Sequence, residues 1–406
     1  MYDAIVVGAR CAGATTAMLL ARAGHSVLLL DRAAFPSDTM STHYVHQPTI
    51  ARLARWGLLD QLRATGCPPL EKAVWQLGDV HLEGCAPAVD GIRAAYGPRR
   101  FVLDTLLVEA AAKAGAEVRE ECNVTGLVRD ADGRVTGVRM TTSEGTAATE
   151  HAKLVIGADG VRSTVAAHAE AAMYDEAPVL SCLYYSYWSG FTADYEVYVK
   201  DRQAIGVVPT NDDLVMVGIQ WPREHFGDVK RDIEGFYLNA VRVAAPSLYE
   251  RMMDGRREER FVGTGNIPNF FRQPHGPGWA LVGDAGYHKD PVGAYGITDA
   301  IRHAEALASH VDDGLSGRVP LDTALASYGE QRDRDSYGMY QFNLEAARFD
   351  PAPELLDVLR VIKDDQKEVD RFFGLIAGIL ATDEFFRPEL IQRAVIANGG
   401  DAIEWD

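Results

Sequence analysis

Residues 4–31 have the sequence AIVVGARCAGATTAMLLARAGHSVLLLD, in which a short apolar run leads through a glycine-containing loop into a helical pattern and a second apolar run. This order predicts a strand, a helix and a parallel strand. A dinucleotide-binding unit of this kind needs three glycines in its loop and, about twenty positions further on, an acid that binds the ribose hydroxyls. Gly8, Gly13 and Asp31 fill three of these four positions, and Arg10 replaces the middle glycine. We expect a dinucleotide site, with Arg10 placed to meet a phosphate; a turn that binds nothing fits the complete pattern less well.

Residues 280–300, ALVGDAGYHKDPVGAYGITDA, carry a related pattern. An apolar run predicts a buried strand, Asp284 follows it, and Pro291, Gly293 and Gly296 punctuate the loop before a predicted helix. Glycines limit side-chain bulk and leave backbone N–H groups accessible, and the N-terminus of a helix favours anionic or electron-rich ligand atoms. The loop therefore suits a flat, polar-edged and partly anionic ligand.

The composition is that of a globular protein large enough for two domains, since 47% of the 406 residues are hydrophobic and 24% are charged. The net charge of −18, without a cluster of Lys and Arg, argues against nucleic acid as a partner. No apolar run is long enough to span a bilayer, and a strand-like run follows Met1 without a basic leader. We therefore expect a cytoplasmic protein without stable membrane association, and the sequence leaves its oligomeric state open.

The cysteines indicate buried, reduced thiols and no metal site. They are odd in number, widely separated and without a CxxC pair, unlike those of a disulfide framework or a zinc site. They are Cys11, Cys67, Cys85, Cys122 and Cys182.

Between residues 178 and 221 the sequence alternates in the manner of an antiparallel sheet that lies outside the first predicted core. Four aromatic residues of this region either line a pocket for a planar apolar substrate or pack the sheet, and packing is favoured for each one singly. They are Tyr184, Tyr185, Tyr187 and Trp188.

Four motifs occur in a characteristic order: GARCAG with Asp31, the pattern RxxLDxxL at residues 100–107, GADGVRS at 157–163 and GDAGYHKDPVGAYGITDA at 283–300. Together they resemble the successive FAD motifs of the p-hydroxybenzoate hydroxylase-like flavoproteins, over residues 1–345. That superfamily includes single-component aromatic monooxygenases, geranylgeranyl reductases and flavin-dependent halogenases.

The resemblance and the predicted elements imply an α/β fold, in which a Rossmann-like FAD-binding domain is interleaved with an antiparallel-sheet substrate domain and followed by C-terminal helices. The FAD-binding domain would comprise residues 1–66, 97–172 and 266–345. Residues 67–96 and 173–265 would form the substrate domain, and residues 346–406 the helical segment.

The resemblance also implies an elongated FAD site. The pyrophosphate would lie at Gly8 and Gly13, the adenosine ribose at Asp31, the phosphate-ribose region at Arg100, and the passage of FAD and nicotinamide at Asp159. The ribityl chain would lie at Asp284. The loop that contains Pro291, Gly293 and Gly296 would line the isoalloxazine. The expected FAD-binding set is Gly8, Arg10, Cys11, Ala12, Gly13, Asp31, Arg32, Arg100, Asp159, Gly160, Asp284, Pro291, Gly293, Ala294 and Gly296.

The activity that this resemblance favours is an FAD-dependent monooxygenase. It would use NADH or NADPH as a transient electron donor, and O₂, to hydroxylate or epoxidise an aromatic or conjugated small molecule through a flavin hydroperoxide. An alkene reductase of the geranylgeranyl reductase type is the main alternative. A halogenase is disfavoured because the W-x-W-x-x-P motif is missing, and a flavin-binding sensor without turnover has no supporting feature.

Three residues are candidates for catalysis: His288, His43 and Tyr295. His288 stands in the loop that would line the flavin, and the usual pKa of histidine lies near neutrality, which suits proton transfer. The alternative is that His288 orders this loop by hydrogen bonding. For His43, a surface or hydrogen-bonding role is favoured over catalysis.

Overall fold

The computed structural model describes residues 1–399 of the chain. The predicted helical segment, residues 346–406, therefore ends with residues 400–406, including Trp405, outside the described residues.

The described residues contain fourteen α-helices, labelled in chain order. They are α1 Cys11–Arg22, α2 Gln47–Arg55, α3 Leu59–Ala64, α4 Arg100–Lys113, α5 Thr164–His168, α6 Phe226–Arg231, α7 Ile233–Ala244, α8 Pro246–Asp254, α9 Gly296–Leu315, α10 Leu321–Ala346, α11 Pro353–Ile362, α12 Gln366–Ile376, α13 Thr382–Phe385 and α14 Pro388–Ala397. Single turns of 3₁₀ helix lie at Arg223–His225, Gly283–Ala285 and Pro291–Gly293.

The strands of the same part of the chain are likewise labelled in order. They are β1 Tyr2–Val7, β2 Val27–Leu30, β3 Pro69–Leu70, β4 Ala73–Leu77, β5 Val80–Gly84, β6 Ala95–Tyr96, β7 Glu117–Arg119, β8 Asn123–Arg129, β9 Val135–Thr141, β10 Ala147–Gly157, β11 Met173–Ala177, β12 Ser181–Ser189, β13 Tyr195–Lys200, β14 Gln203–Pro209, β15 Val215–Pro222, β16 Arg256–Arg257, β17 Val262–Thr264, β18 Asn269–Arg272, β19 His275–Gly276, β20 Trp279–Leu281 and β21 Tyr287–His288.

The first sheet has the strand order β19-β20-β10-β1-β2-β7, and all of these strands except β19 run parallel. Val6 of β1 lies opposite Ile156 of β10 on one side and Leu29 of β2 on the other. These three side chains are fully buried, because the strands of a parallel sheet are covered on both faces and need apolar residues throughout. The predicted unit of strand, helix and parallel strand is confirmed as β1, α1 and β2.

Both faces of the parallel sheet are covered. Helices α1, α4 and α9 pack on one face, where Ala14 and Ala17 of α1 are fully buried and let the helix approach closely. The antiparallel strands β8 and β9, with the first half of β10, cover the other face through residues such as Leu127 and Val138. The result is a three-layered α/β unit.

The carboxyl ends of β1, β2, β10 and β20 lie along one edge of this sheet, because the strands are parallel. The chain continues from these ends to Gly8, Asp31, Asp159 and Asp284, respectively. Ligands of open α/β sheets bind at this edge. The fold therefore brings together three of the four motifs, which are far apart in the sequence.

The second sheet has the order β16-β12-β15-β14-β13-β4-β5, with β17 also paired to β12. It is antiparallel except that β4 and β13 pair in parallel. One face packs on α6–α8, and the other faces the loop before α9 and the C-terminal helices. The predicted fold class, α/β with an additional antiparallel sheet and C-terminal helices, is confirmed.

Alternation along β12 sends its four aromatic residues to opposite faces of the second sheet. Tyr184 and Trp188 pack beneath α6–α8, with Tyr184 stacked on Phe226 at a centroid distance of 6.3 Å. Tyr185 and Tyr187 belong to the core on the other face. None of the four lines the large cavity of the molecule, so packing describes them better than pocket lining.

The C-terminal helices complete the core on this second face. Leu359 of α11, Phe372 of α12 and Leu390 of α14 are buried against the sheet and against one another. Among residues 1–399, no helix combines the length and the apolar character needed to cross a bilayer.

Candidate functional site

The loop between β1 and α1 is built on two glycines that no other residue could replace. Gly8 has φ +98°, and a Cβ there would lie 2.5 Å from the carbonyl oxygen of Ala158. A Cβ on Gly13 would lie 1.7 Å from the carbonyl oxygen of Gly8. Helix α1 then begins without a side-chain cap from Arg10. The N–H groups of its first turn are therefore available to an anion such as a pyrophosphate.

Asp31 lies at the end of β2 and is oriented by backbone donors. Its Oδ2 accepts a hydrogen bond from the amide of Ala9 at 2.7 Å, and its Oδ1 accepts one from Ala33 at 2.8 Å. A carboxylate has about four acceptor positions, so lone pairs remain for ribose hydroxyls. Arg32, the next predicted residue, is exposed.

Two arginines and a thiol converge on the fully buried Asp104 beside the start of α1. Arg10 donates to its Oδ2 at 2.6 Å, and Arg100 donates to both oxygens at 3.1 Å. Cys11 donates from Sγ at 3.2 Å. Burial alone would lower the pKa of Arg100, but Cys11, Asp104 and Asp284 hold it above its usual value. Two fixed guanidiniums therefore stand where the resemblance places phosphates.

Asp159 serves the protein itself. Its Oδ1 accepts a hydrogen bond from the hydroxyl of Ser163, the N-cap residue of α5, at 2.5 Å, and its Oδ2 accepts one from the backbone N–H of Thr164 in the first turn of α5 at 2.6 Å. Burial raises the pKa of Asp159, and these hydrogen bonds oppose the rise. Gly160 follows with φ +78° and open space around its Cα.

Gly283 and Asp284 follow β20, and this turn packs against the start of α1. Gly283 has φ +60°, and a Cβ there would lie 2.8 Å from the Cβ of Ala12. Asp284 is close enough to Arg100 to affect its pKa. The GARCAG loop, the arginine of α4 and the GD turn therefore form one continuous edge.

The loop from Asp290 to Tyr295 is fixed at its first residue. The Asp290 carboxylate accepts hydrogen bonds from the Ser181 hydroxyl of β12 at 2.5 Å and from Nε2 of Gln220 of β15 at 2.8 Å. The amide of Asn343 donates to its carbonyl oxygen at 2.7 Å. Burial raises the pKa of Asp290, and the Ser181 and Gln220 donors oppose the rise. Asp290 thus ties this loop to the second sheet and to α10.

Helix α9 begins at Gly296, where no side chain caps it. A Cβ on Gly296 would meet no protein atom within 4 Å, so open space adjoins the N-terminus of a 20-residue helix. The acid of its first turn, Asp299, is ion-paired with Lys289 and with Arg302. Burial would raise the pKa of Asp299, but Lys289 and Arg302 outweigh it and lower the value to about 2. Because Lys289 and Arg302 balance the negative charge of Asp299, the N-terminus of α9 still attracts an electron-rich ligand edge.

A cavity of about 250 Å³ lies between the second sheet, the loop Pro291–Tyr295 and the C-terminal helices. Most of the lining is aliphatic, and the aromatic walls come from Trp75, Tyr195, Tyr295, Phe342, Phe349 and Phe372. Ligand pockets are typically concave and apolar with a few placed polar groups, as this one is.

The predicted catalytic residues lie in different surroundings. Tyr295 lines the cavity, and its hydroxyl donates to the carbonyl of Ile376 at 2.5 Å. His288 lies outside the lining; its Nδ1 donates to the carbonyl of Pro268 at 2.5 Å, which orders the loop. His43 is fully buried and hydrogen-bonded through Nε2 to the Tyr187 hydroxyl at 2.5 Å.

Two buried histidines that precede α2, His43 and His46, are held neutral. Burial, with the nearby guanidiniums of Arg100 and Arg99, lowers the pKa of His43 to about 3. Burial lowers the pKa of His46 to about 4, although its Nε2 donates to the carbonyl of Gly293 at 3.1 Å. Near neutral pH both imidazoles are therefore uncharged, and neither has the imidazolium proton that a general acid would donate.

Several site residues were not singled out from the sequence. Gln220 is the polar member of the otherwise apolar strand VMVGIQWP, and that contrast is a usable signal. Asp104 lies within the RxxLDxxL pattern, four residues after Arg100, but its contacts with Cys11 and Arg10 span 93 and 94 residues of sequence. Asn343 and Phe372 lie in α10 and α12, where the helical pattern gives no sign of a cavity.

The residues at the sheet edge fit an FAD molecule. Glycines admit the backbone to a pyrophosphate, Asp31 offers acceptors to a ribose, two arginines offer donors, and an uncapped helix adjoins open space at Gly296. Within residues 1–399 no group of three His, Cys, Asp or Glu side chains is arranged to hold a metal ion.

Comparison with known proteins agrees with this chemistry. A family model described as FAD binding domain matches residues 1–342. Tryptophan 2-halogenase of Chondromyces crocatus is 26% identical over 342 residues, which cover 80% of this chain and 63% of the halogenase, so the chain matches under two thirds of that relative's length. Digeranylgeranylglycerophospholipid reductase of Methanosarcina mazei is 27% identical over 350 residues, covering 83% of this chain and 81% of the reductase.

A solved structure shows the same fold. PqsL of Pseudomonas aeruginosa, described as a probable FAD-dependent monooxygenase, is 20% identical and superposes with a TM-score of 0.71 over 92% of this chain and 99% of its own. PqsL has also been solved in complex with 2-aminobenzoylacetate. The match over residues 1–342 confirms the resemblance drawn from the four motifs, and the chain belongs to the FAD-binding domain family of flavoproteins.

Proposed function

We propose that this protein is an FAD-dependent monooxygenase that uses NADH or NADPH and O₂ to hydroxylate or epoxidise an aromatic or conjugated small molecule. The observation that carries the proposal is the apolar cavity bordered by Pro291–Tyr295, the loop along which the isoalloxazine would lie. A substrate in that cavity would be close to the flavin and shielded from water.

FAD, when bound, supplies electron transfer from the nicotinamide and activation of O₂. The chain would hold its phosphates with the α1 N-terminus, Arg10 and Arg100, and its ribose with Asp31. The N-terminus of α9 at Gly296 would stabilise negative charge at the electron-rich edge of the flavin ring.

The protein groups near the ring would position the reactants and contribute little proton transfer. His43 and His46 are neutral because burial lowers their pKa values to about 3 and about 4. Tyr295 would form the wall between ring and cavity, since its hydroxyl is already bonded to Ile376. His288 orders the loop through Pro268. Water exclusion by the aromatic walls would protect the reaction from hydrolytic side reactions.

A reductase that saturates a conjugated alkene is the second candidate. The 27% identity to the Methanosarcina mazei reductase over 83% of this chain favours it, as do the aliphatic residues of the cavity. Halogenation has the support of the tryptophan 2-halogenase similarity, but the chain has no W-x-W-x-x-P motif. The chemistry of the small molecule therefore separates the candidates better than the fold does.

The decisive experiment measures atom transfer. The purified protein is loaded with FAD and supplied with NADH or NADPH under ¹⁸O₂, with a panel of aromatic and conjugated compounds. A monooxygenase yields a product that carries one ¹⁸O atom. A reductase yields a product with two added hydrogens and does so equally well without O₂. Protein that stays colourless when FAD is added contradicts both.

A further inference from the structure

The lining of the cavity has an unusual charge pattern. None of the described residues that line it is a lysine, an arginine or a histidine. Its charged members are Glu345, near the end of α10, and Asp350, beyond that helix, and both are exposed. An anion that enters the cavity would lose its hydration without gaining a positively charged partner, and the carboxylates of Glu345 and Asp350 would repel it. The lining is therefore suited to an uncharged ligand.

Two side-chain amides of fixed orientation line the cavity. Asn343 donates from Nδ2 to the carbonyl oxygen of Asp290 at 2.7 Å, and its Oδ1 is buried without accessible surface. The other amide is that of Gln220. Its Nε2 donates to Oδ1 of Asp290 at 2.8 Å and to the Ser181 hydroxyl at 3.2 Å. Asp290 also accepts hydrogen bonds from the Ser181 hydroxyl at 2.5 Å and from the backbone N–H of Val292 at 3.1 Å, and these donors favour its ionised form. An ionised carboxylate only accepts hydrogen bonds, so its partner on Gln220 is the nitrogen. The assignment of the two amide atoms therefore follows from the contact itself.

This orientation leaves the amide oxygen of Gln220 as an acceptor. Gln220 lies on a strand whose eight residues are all buried, and it lines the cavity. Among residues 1–399, no hydrogen bond joins its Oε1 to another protein group, whereas both hydrogens of Nε2 are used. Asp290, which fixes the amide, is the first residue of the loop along which the flavin would lie. The acceptor is therefore held beside that loop.

We propose that the cavity binds an uncharged, largely apolar ring compound whose O–H or N–H group donates a hydrogen bond to Oε1 of Gln220, and that it discriminates against carboxylates. The proposal deepens the proposed function, on which it rests for the place of the flavin ring. Gln220 is then a specificity-determining residue that touches the substrate.

Discrimination follows from the cost of leaving a buried acceptor unpaired. A ligand of the same shape without the donor would displace water from Oε1 and form no hydrogen bond in its place. Sites that hydrogen-bond a substrate O–H or N–H reject analogues that lack it for this reason.

The test measures binding to the oxidised FAD-loaded protein, without NADH or NADPH. Three probes are compared: indole, benzofuran of nearly equal shape, in which oxygen replaces the N–H group, and indole-3-carboxylate, which adds a charged group to the indole ring. Changes in the flavin absorption spectrum, with calorimetry as a second readout, give the dissociation constants. We expect indole to bind roughly five- to tenfold more tightly than benzofuran, and the carboxylate to bind more weakly than either.

Two variants locate the effect. Gln220→Met removes the acceptor at nearly constant length, and the preference for indole over benzofuran should fall to within about twofold. Ser181→Ala is the matched control. It also removes a hydrogen bond of Asp290, together with the weaker of the two Nε2 bonds of Gln220, but it keeps the bond at 2.8 Å from Nε2 to Asp290 that orients the amide, and it keeps Oε1. The preference should persist in this variant. If Gln220→Met does not fold, the three probes on the unaltered protein decide the question alone.

Four results would overturn the proposal. They are equal binding of indole and benzofuran, binding of the carboxylate as tight as that of indole, an undiminished indole preference in Gln220→Met, and no binding of any probe up to about 5 mM. Failure of the monooxygenase function is a separate outcome, since it would appear as absent ¹⁸O incorporation while the binding preference remained.

Discussion

His43 and His46 are two buried histidines whose pKa values burial lowers. Their pKa values of about 3 and about 4 lie below the usual value near 6.5. The folded protein therefore binds fewer protons than the unfolded chain below about pH 6.5. Stability contributed by each histidine is fully present above that pH and is lost as the pH falls toward the folded pKa.

A pH series tests this sign. Between about pH 6 and 4.5, each histidine should remove about 1.4 kcal/mol of the free energy of unfolding per pH unit. His43→Gln keeps a hydrogen-bonding group for Tyr187 but does not titrate, so the slope should decrease by about that amount. The exposed Gln61, which has no titratable group, provides the control variant Gln61→Ala, which should leave the slope unchanged. Urea unfolding across this range gives the slopes, and equal slopes in all three proteins would contradict the burial argument.

Gly293 and Gly296 differ in the space that an added side chain would find. A Cβ on Gly293 would lie 2.3 Å from the ring of Tyr295 and 3.0 Å from Oδ1 of Asn343, whereas one on Gly296 would meet no protein atom within 4 Å. Gly293→Val should therefore distort the loop and abolish FAD binding. Gly296→Ala should leave the melting temperature of the FAD-free protein unchanged and weaken FAD binding by about tenfold, because the added methyl occupies space left for the cofactor. Fluorescence titration with FAD measures both, and unaltered FAD affinity in Gly296→Ala would mean that the ring lies elsewhere.

The start of α9 depends on a buried ion pair between the loop and the helix. Lys289 is 8% exposed and contacts Asp299 and the Tyr287 hydroxyl. Burial lowers the pKa of Lys289, and Asp299 opposes this. Removing one partner of such a pair leaves a charge that neither water nor protein compensates. The loop and the first turn of α9 are therefore stabilised as one unit.

Asp299→Leu should cost about 3 kcal/mol of unfolding free energy, because Lys289 is then left buried without a countercharge. The double variant Lys289→Met, Asp299→Leu should recover more than half of that loss, since both charges are replaced by apolar groups. Urea midpoints of the two variants and the parent protein give the comparison. A double variant as unstable as the single one would show that the ion pair of Asp299 with Arg302, and not its pairing with Lys289, is what matters.

The elements whose signals are local in the sequence were predictable. The run of β1, its loop and α1 form a continuous pattern, and Gly8 and Gly13 are required by contacts within that pattern and with Ala158. Asp159 shows the limit, because the same acid before a serine suits either a cofactor contact or the cap of α5 that the structure contains. The cavity was not predictable from local pattern, since it forms where the second sheet meets helices more than a hundred residues later in the chain.

The molecule has two cores, one beside the residues that fit FAD and one around the cavity. The parallel sheet and α1, α4 and α9 carry the residues that fit FAD, whereas the second sheet and the C-terminal helices enclose the cavity. The loop that starts at Asp290 connects the two through Ser181 and Gln220. A change confined to the second core should therefore alter ligand binding without removing FAD.

Phe372→Ala tests that division. Phe372 of α12 is 1% exposed, lines the cavity and meets the edge of Trp75 at a centroid distance of 5.6 Å. Its truncation should cost about 3–5 kcal/mol of unfolding free energy, as large-to-small changes in a core do. FAD affinity should stay within about twofold of the parent, while indole binding weakens because the wall it packs against is gone.

Leu53→Ala is the matched control, because Leu53 is fully buried in the core of the parallel sheet and does not line the cavity. It should lose about 2–5 kcal/mol and leave indole binding to the FAD-loaded protein unchanged. If Phe372→Ala released FAD while Leu53→Ala did not, the C-terminal helices would have to contribute to holding the cofactor. The cavity would then be part of the FAD site, and the ligand would have to bind in a space that remains once the flavin ring is in place.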